Sequence, residues 1–300
     1  MNLKPPDLPS SDIDLPRLER TLRSPRTLFS FAMSGLTALV TLIAVIPLFS
    51  VLIMLLVRGG KRLSVALFTE LPPAAGMEGG GIGNAILGTL EIVAIGTLIS
   101  VPIGIMAAVF LAEFGPESKT AAAVRFVAKI LTGLPSILAG VFAFSIVVLV
   151  TRKFSAPAGG VALVLLMLPI ILLTAEEAIR MVPARMREAA IGMGATRTQT
   201  VLRVVLPTAL PGLITGVMLA VARAAGETAP LLLTAKFSEY WLTRNLMEPT
   251  PSLAVLIYNF SSSPFANQIE IAWAASLVLV AIVLAANIVA QVWQSQSARR

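Results

Sequence analysis

The sequence predicts an all-α polytopic membrane protein with six transmembrane helices. Three observations predict it. Of 300 residues, 56% are apolar or aromatic and only 13% are charged, with a mean hydropathy of +0.87. A water-soluble domain runs nearer half apolar and a quarter charged. Six stretches read as apolar spans, against the roughly 20 residues a helix needs to cross about 30 Å of hydrocarbon. The cations also fall unevenly on the two sides those spans define, as the positive-inside rule requires.

The spans follow in order. Thr27 to Val57 carries no charge over 31 residues and has room to tilt; it starts too late and runs too long for a secretory signal. The second runs from about Ala85 to Ala112, interrupted only by Glu91. The third lies near Ile130 to Val150, the shorter fourth near Gly160 to Ala175, and the fifth from Ala209 to Ala229, with Arg223 and Glu227 inside it. The sixth runs from Ile271 to Val292. An even number puts both termini on one side. With that side cytoplasmic, fifteen of the 23 cations lie inside and seven outside, among them Arg58, Lys61 and Arg62 just after the first span; Arg223 lies within a span. The expected location is therefore the plasma (inner) membrane, multi-pass, with both termini cytoplasmic.

Residues 1–26, rich in Pro, Ser and charge, read as a loosely attached cytoplasmic tail. Residues 27–300 read as one transmembrane domain. The outer connection from Arg58 to Asn84 holds Pro72-Pro73 and Gly79-Gly80-Gly81, which predicts a flexible segment. The longer outer loop, Lys236 to Glu270, carries Tyr240 and Trp241, rings suited to the membrane interface.

The chain has no Cys and no His, and its three Asp residues (Asp7, Asp12, Asp14) all precede position 15. Disulfides, thiolate nucleophiles, Ser–His triads and His-bearing metal sites are excluded. So is intramembrane aspartyl chemistry. The Gly59-Gly60-Lys61 run lacks the glycine spacing and the hydroxyl of a phosphate-cradling loop. The chain is expected to be no enzyme and to hold no metal or cofactor of its own.

The inside loop from Glu176 to Leu206 is the most informative segment, with five Arg and three Glu. Pro183 suits the first turn of a helix. Ala184 to Ile191 reads as a short helix ending at Gly192 or Gly194, where glycine permits a left-handed cap. Thr196 then caps a second helix, Arg197 to Val205, and Pro207 marks the turn into the fifth span. By itself the loop is also compatible with an amphipathic helix on the headgroups.

Glu188-Ala189-Ala190, three residues, Gly194, nine residues, Val204, one residue, Leu206-Pro207 resembles the EAA loop of importer permeases that work with ATP-binding-cassette ATPases, with Val where the pattern usually has Ile. The resemblance implies the MetI-like type I importer permease fold. It also implies that Glu188, Ala189, Ala190 and Gly194 couple the permease to an ATPase. Small Ala side chains let another surface approach, Glu188 offers a charge, and Gly194 turns the chain away.

Arg223 and Glu227 are four residues apart and expected on one helix face, with Gly226 and Pro230 weakening the helix beside them. Charges in a span cost roughly 2.5–3.5 kcal/mol and mark functional candidates. One reading is a self-neutralising structural pair. The other is a polar site on the permeation route, where Arg offers an oxyanion its fixed fork of donors. Arg223 to Ala235 (Arg-Ala-Ala-Gly-Glu-Thr-Ala-Pro-Leu-Leu-Leu-Thr-Ala) is similar to a segment of the A-type permease of the phosphate-specific transport system. So are Gly133-Leu134-Pro135-Ser136 with Gly140, Glu177 to Pro183, Ser263 to Ala266 and Ala272 to Ala274.

That resemblance covers about residues 80–295. It implies phosphate as substrate, Arg223 and Glu227 as pathway residues, and Arg180, beside Glu176 and Glu177, as a second candidate for anion passage. Arg180 reads equally as an ordinary positive-inside anchor. Glu91 reads as reaching the headgroups, with a pore-facing or helix-interface position as the alternative; Ser136 reads as a helix cap or packing residue, with donation to an anion at a broken helix as the alternative.

The implied partners are an ABC ATPase dimer, which would bind ATP and Mg, a second homologous permease, and an extracytoplasmic phosphate-binding protein. Together with membrane lipid they make a heterotetrameric transporter with its delivery protein; no nucleic-acid partner is implied. The alternatives are an importer of another oxyanion, such as sulfate or molybdate, and an ATP-independent channel or secondary transporter, which the EAA loop disfavours.

Overall fold

The computed structural model describes residues 25–297. The expected tail, residues 1–26, lies outside the described residues apart from its last two, as do Arg299 and Arg300.

The chain divides at residue 53. The described residues of the N-terminal unit belong to a single apolar helix, α1 (Pro25–Met54). Two of its hydroxyls are satisfied within the helix: Thr37 donates to the Met33 carbonyl and Thr41 to that of Thr37, both at 2.8 Å. A span can carry such side chains without an unmet donor in hydrocarbon.

From Met54 onward a wide π turn, Leu55–Gly59, leads into α2 (Val65–Thr69) and α3 (Gly83–Val109), and α3 ends in a second π turn, Phe110–Phe114. Then come α4 (Lys119–Thr132) and α5 (Ser136–Ala143), which runs through the π turn Phe144–Val148 into α6 (Leu149–Thr151). After α7 (Ala156–Arg180), the loop helices α8 (Ala184–Gly192) and α9 (Arg197–Thr200) precede a π turn, Val201–Val205, and α10 (Leu206–Ala225). The chain closes with α11 (Ala229–Thr234), α12 (Leu253–Ser261) and α13 (Ala266–Ser297). Among the described residues, five helical runs are long and apolar enough to cross a membrane: Thr27–Gly59, Gly83–Phe114, Ala156–Arg180, Arg197–Ala225 and Ala266–Val292. A sixth is counted if the pair α4 and α5–α6 is one span.

That pair departs from the sequence expectation. Ile130 to Val150 is not one helix; the chain bends by 107° between Thr132 and Ser136. Pro135 has no N–H to continue the ladder, and it disfavours helical geometry at Leu134. The fourth span is longer than expected, because α7 begins at Ala156, capped by the Ser155 hydroxyl, and ends only at Arg180. The fifth span also differs. Pro207 does not turn the chain: α9 continues through the π turn into α10. A π turn absorbs the missing proline N–H without breaking the run.

α7 is the central element, packed against α3, α4, α5 and α10. Its seams are built from glycine. A Cβ on Gly160 would lie 2.5 Å from Ile95 of α3, and one on Gly104 2.8 Å from Ile171 of α7. On the other side, a Cβ on Gly212 would lie 2.6 Å from Ala178, and one on Gly216 2.1 Å from the Thr174 hydroxyl. Lipid tails give no hydrophobic incentive for helices to associate, so close van der Waals contact of small residues holds them.

The outer loop Lys236 to Glu270 is more than a loop. α12 within it is buried at Leu253, Ala254, Val255 and Leu256 and packs on α13 and α3. Its N-terminus is capped twice, by the Ser252 hydroxyl and by Thr89 of α3, which accepts from Leu253 N–H at 2.8 Å. The connection before α3 is likewise held. Gly76, Gly79 and Gly80 take positive φ, and Arg62 donates to the Gly79 carbonyl and, at 2.6 Å, to Asn267. A Cβ on Gly88 would sit 1.9 Å from the Pro251 carbonyl oxygen. Gly88→Ala is therefore expected to cost about 1–3 kcal/mol, read as earlier thermal unfolding in detergent. Gly60→Ala, where nothing lies within 4 Å, should leave that transition in place.

Candidate permeation and coupling sites

Arg223 and Glu227 do not share a helix face as expected, yet they still meet. Arg223 lies in the last turn of α10, whose final carbonyls suit a cation; Glu227 lies beyond its end, in the break before α11. Gly226 and Pro230 frame that break as the sequence expects. The Arg223 Nε stands 3.6 Å from Glu227 Oε1, with the arginine side chain 48% exposed and the glutamate 15%. A charge-assisted hydrogen bond is shorter, about 2.7–2.9 Å, so this pair is loose and leaves guanidinium donors uncommitted.

Depth follows from packing. Ala178 of α7 faces Gly212 and Thr174 faces Gly216, so α7 and α10 run antiparallel. Continuing that register puts Arg223 level with the middle of α7, near Met167, which shares a buried cluster with Ala220 and Ala224. Across the break, a Cβ on Gly140 of α5 would lie 2.6 Å from Pro230. Two segments singled out in the sequence, around Gly133–Gly140 and Arg223–Ala235, thus pack together. Ser136 opens α5, with Pro135 at the cap position.

Arg180 is not brought to this site. It sits level with about residue 210 of α10, some 20 Å from Arg223 along the helix at 1.5 Å per residue. Its guanidinium pairs with Glu176 one turn earlier at 2.7 Å. Glu176, nearly buried, also accepts from Arg125 Nε of α4 at 2.7 Å. Glu91, expected at the headgroups, instead lines a half-open cavity of about 640 Å³ with residues 236–243, Asn245 and 248–250.

The loop between α7 and α10 forms the two expected helices. α8 ends at Gly192, and Gly194 takes φ +87°, the left-handed turn that glycine permits. Thr196 caps α9 in a full capping box with Gln199. Glu188 and Ala189 are exposed, as are Met181, Met186, Ile191 and Met193. Ala190, by contrast, is 3% exposed. α8 packs on α9 and the π turn 201–205, so the close approach Ala190 permits is to its own chain.

Sequence reasoning missed the partners of this loop. Arg187 of α8 donates to Glu113 at 2.9 Å and to the Ile179 carbonyl at the end of α7 at 2.8 Å. Arg197 donates to the Glu113 carbonyl and lies over the Phe114 ring at 5.4 Å. An unexplained Glu at the end of a span was the available signal.

Comparison with known proteins agrees with this architecture. Residues 100–300 match the family model described as binding-protein-dependent transport system inner membrane component. The chain is 42% identical to the phosphate transport system permease protein PstA of Yersinia pestis, over 78% of this chain and 79% of that protein. It is 41% identical to PstA of Haemophilus influenzae, over 85% and 90% of the two chains. In structure it is similar to a chain of the inward-facing MetNI methionine ABC transporter, with a TM-score of 0.55 at 20% identity over 71% of this chain and 96% of that one. The fold is thus that of an ABC-importer permease, and the chain belongs to the binding-protein-dependent inner membrane transport components, among the PstA-type permeases.

Proposed function

We propose that the chain is the membrane permease subunit through which an ATP-driven importer moves inorganic phosphate into the cytoplasm. The observation that carries the substrate is the 42% identity over 79% of a phosphate permease. The geometry around Arg223 supports it: an arginine at mid-depth in the second unit, loosely paired and half exposed among the described residues. Transporters place their sites near the bilayer midplane and at interrupted helices. A guanidinium matches phosphate with two parallel donors, while Glu227 orients it and moderates its pull, since conduction needs release as well as binding.

A second, homologous permease supplies the other wall of the route. Two ATPase subunits hold ATP and Mg, and an extracytoplasmic binding protein delivers phosphate. The loop 181–206 is the contact with the ATPase, on the cytoplasmic side with both termini. Its exposed Met181, Met186, Ile191 and Met193 around Glu188 support this reading, because exposed apolar side chains gathered on one element mark interaction surfaces. Arg180, tied to Glu176, serves anion passage at the inner mouth.

Cells expressing the whole transporter should take up radiolabelled phosphate and lose that uptake to excess unlabelled phosphate, not to sulfate or molybdate. Stronger competition by sulfate or molybdate would assign a different oxyanion to the same permease.

A further inference from the structure

The end of α3 gathers more cations than any topology rule requires. Three arginines from three separate helices converge on residues 111–116. Arg125 of α4 donates to the Leu111 and Pro116 carbonyls, each at 2.9 Å. Arg197 of α9 donates to the Glu113 carbonyl. Arg187 of α8 reaches the Glu113 carboxylate with two nitrogens, Nε at 2.9 Å and Nη2 at 2.8 Å, and uses Nη1 and Nη2 on the Val182 and Ile179 carbonyls.

The π turn Phe110–Phe114 makes this possible. It presents carbonyls at a helix C-terminus, where cations are favoured. Glu113 is 8% exposed. A carboxylate so enclosed holds its partner far more firmly than a surface pair does. The loop 181–206 is chemically continuous with α7 and α10 but not with α3; Glu113 is the point where both loop helices grip α3. α3 in turn packs along α7 through Gly104 and Gly160. Any displacement of α8 that preserves these bonds must carry α3 with it.

We propose that Glu113 is the positioning residue through which motion of the loop 181–206 is transmitted to α3. This rests on the reading of that loop as the ATPase contact. Glu113 is not on the exposed face with Glu188, so its substitution should disturb transmission and leave docking in place.

The test uses the full transporter in proteoliposomes, with Glu113→Gln, Arg187→Gln and the double variant. Each single variant is expected to lose phosphate uptake at least about fivefold while ATPase subunits co-purify as in wild type and ATP hydrolysis stays within about twofold. ATP consumed per phosphate moved therefore rises. The double variant should be no worse than Arg187→Gln alone, because that variant already removes the contact with Glu113. Uptake within about twofold of wild type would overturn the proposal. So would a parallel loss of uptake and hydrolysis, or loss of the ATPase from the complex, since each assigns Glu113 a merely structural role. Glu188→Lys separates the two readings: if that variant retains its ATPase, the docking reading fails on its own evidence.

Discussion

Arg223→Gln is expected to abolish phosphate uptake while the transporter still assembles. Glutamine keeps a polar amide but is shorter, has two N–H donors against five, and removes the charge and the planar fork. Losing the arginine side of a desolvated arginine–phosphate contact costs about 2–5 kcal/mol, which corresponds to roughly 30-fold to several thousand-fold in uptake. Assembly is spared because the arginine supports little of the fold. Its side chain is half exposed and its contact to Glu227 is 3.6 Å, and a pair that exposed contributes at most about 1 kcal/mol. Arg223→Lys keeps the charge without the fork and should fall between the two. Uptake is followed with radiolabelled phosphate and assembly by co-purification. Near-normal uptake in Arg223→Gln would reject the pathway role and leave a structural pair.

Glu188→Lys is expected to release the ATPase. Glu188 is exposed on α8 beside Arg185 and among uncovered Met186, Ile191 and Met193. Reversing its charge leaves an apolar surface carrying only cations. Like charges brought together across an interface cost several kcal/mol, so co-purified ATPase should drop to less than about a tenth, a loss of at least 1.4 kcal/mol. Ala190→Val tests something else, because Ala190 is buried within the loop. Unchanged co-purification of Glu188→Lys would count against α8 as the docking element.

The extent to which the sequence was readable follows the range of each interaction. Local signals were legible. Gly194 closes α8 with a left-handed turn, Thr196 caps α9, and Gly226 with Pro230 breaks the helix after Arg223. Each depends on residues within a turn or two of chain. Hydropathy located the spans but not their true ends, because α7 carries Glu176, Glu177 and Arg180 in helical geometry past its apolar stretch. It also misread Ile130 to Val150, where one proline outweighs a run of apolar residues. α12 escaped notice because nine residues are too few to span, although burial of four consecutive apolar side chains makes it part of the core.

The candidate sites divide in the same way. Arg223 and Glu227 stood out because charges in a span are costly. The grip of Arg187 and Arg197 on Glu113 joins residues 74 and 84 positions apart, and no local pattern predicts it. Arg125 on Glu176, 51 positions apart, is a second instance.

Phosphate is expected to pass uphill through this permease only when ATP is hydrolysed by its partners. Proteoliposomes carrying the complete transporter, with the binding protein and phosphate on the inlet side and ATP on the side of the ATPase, measure that directly. Radiolabelled phosphate should accumulate above its equilibrium level, dependent on ATP and lost in Arg223→Gln. Equilibration that stops at equal concentrations and proceeds equally without ATP would contradict this, and would identify a channel or carrier instead.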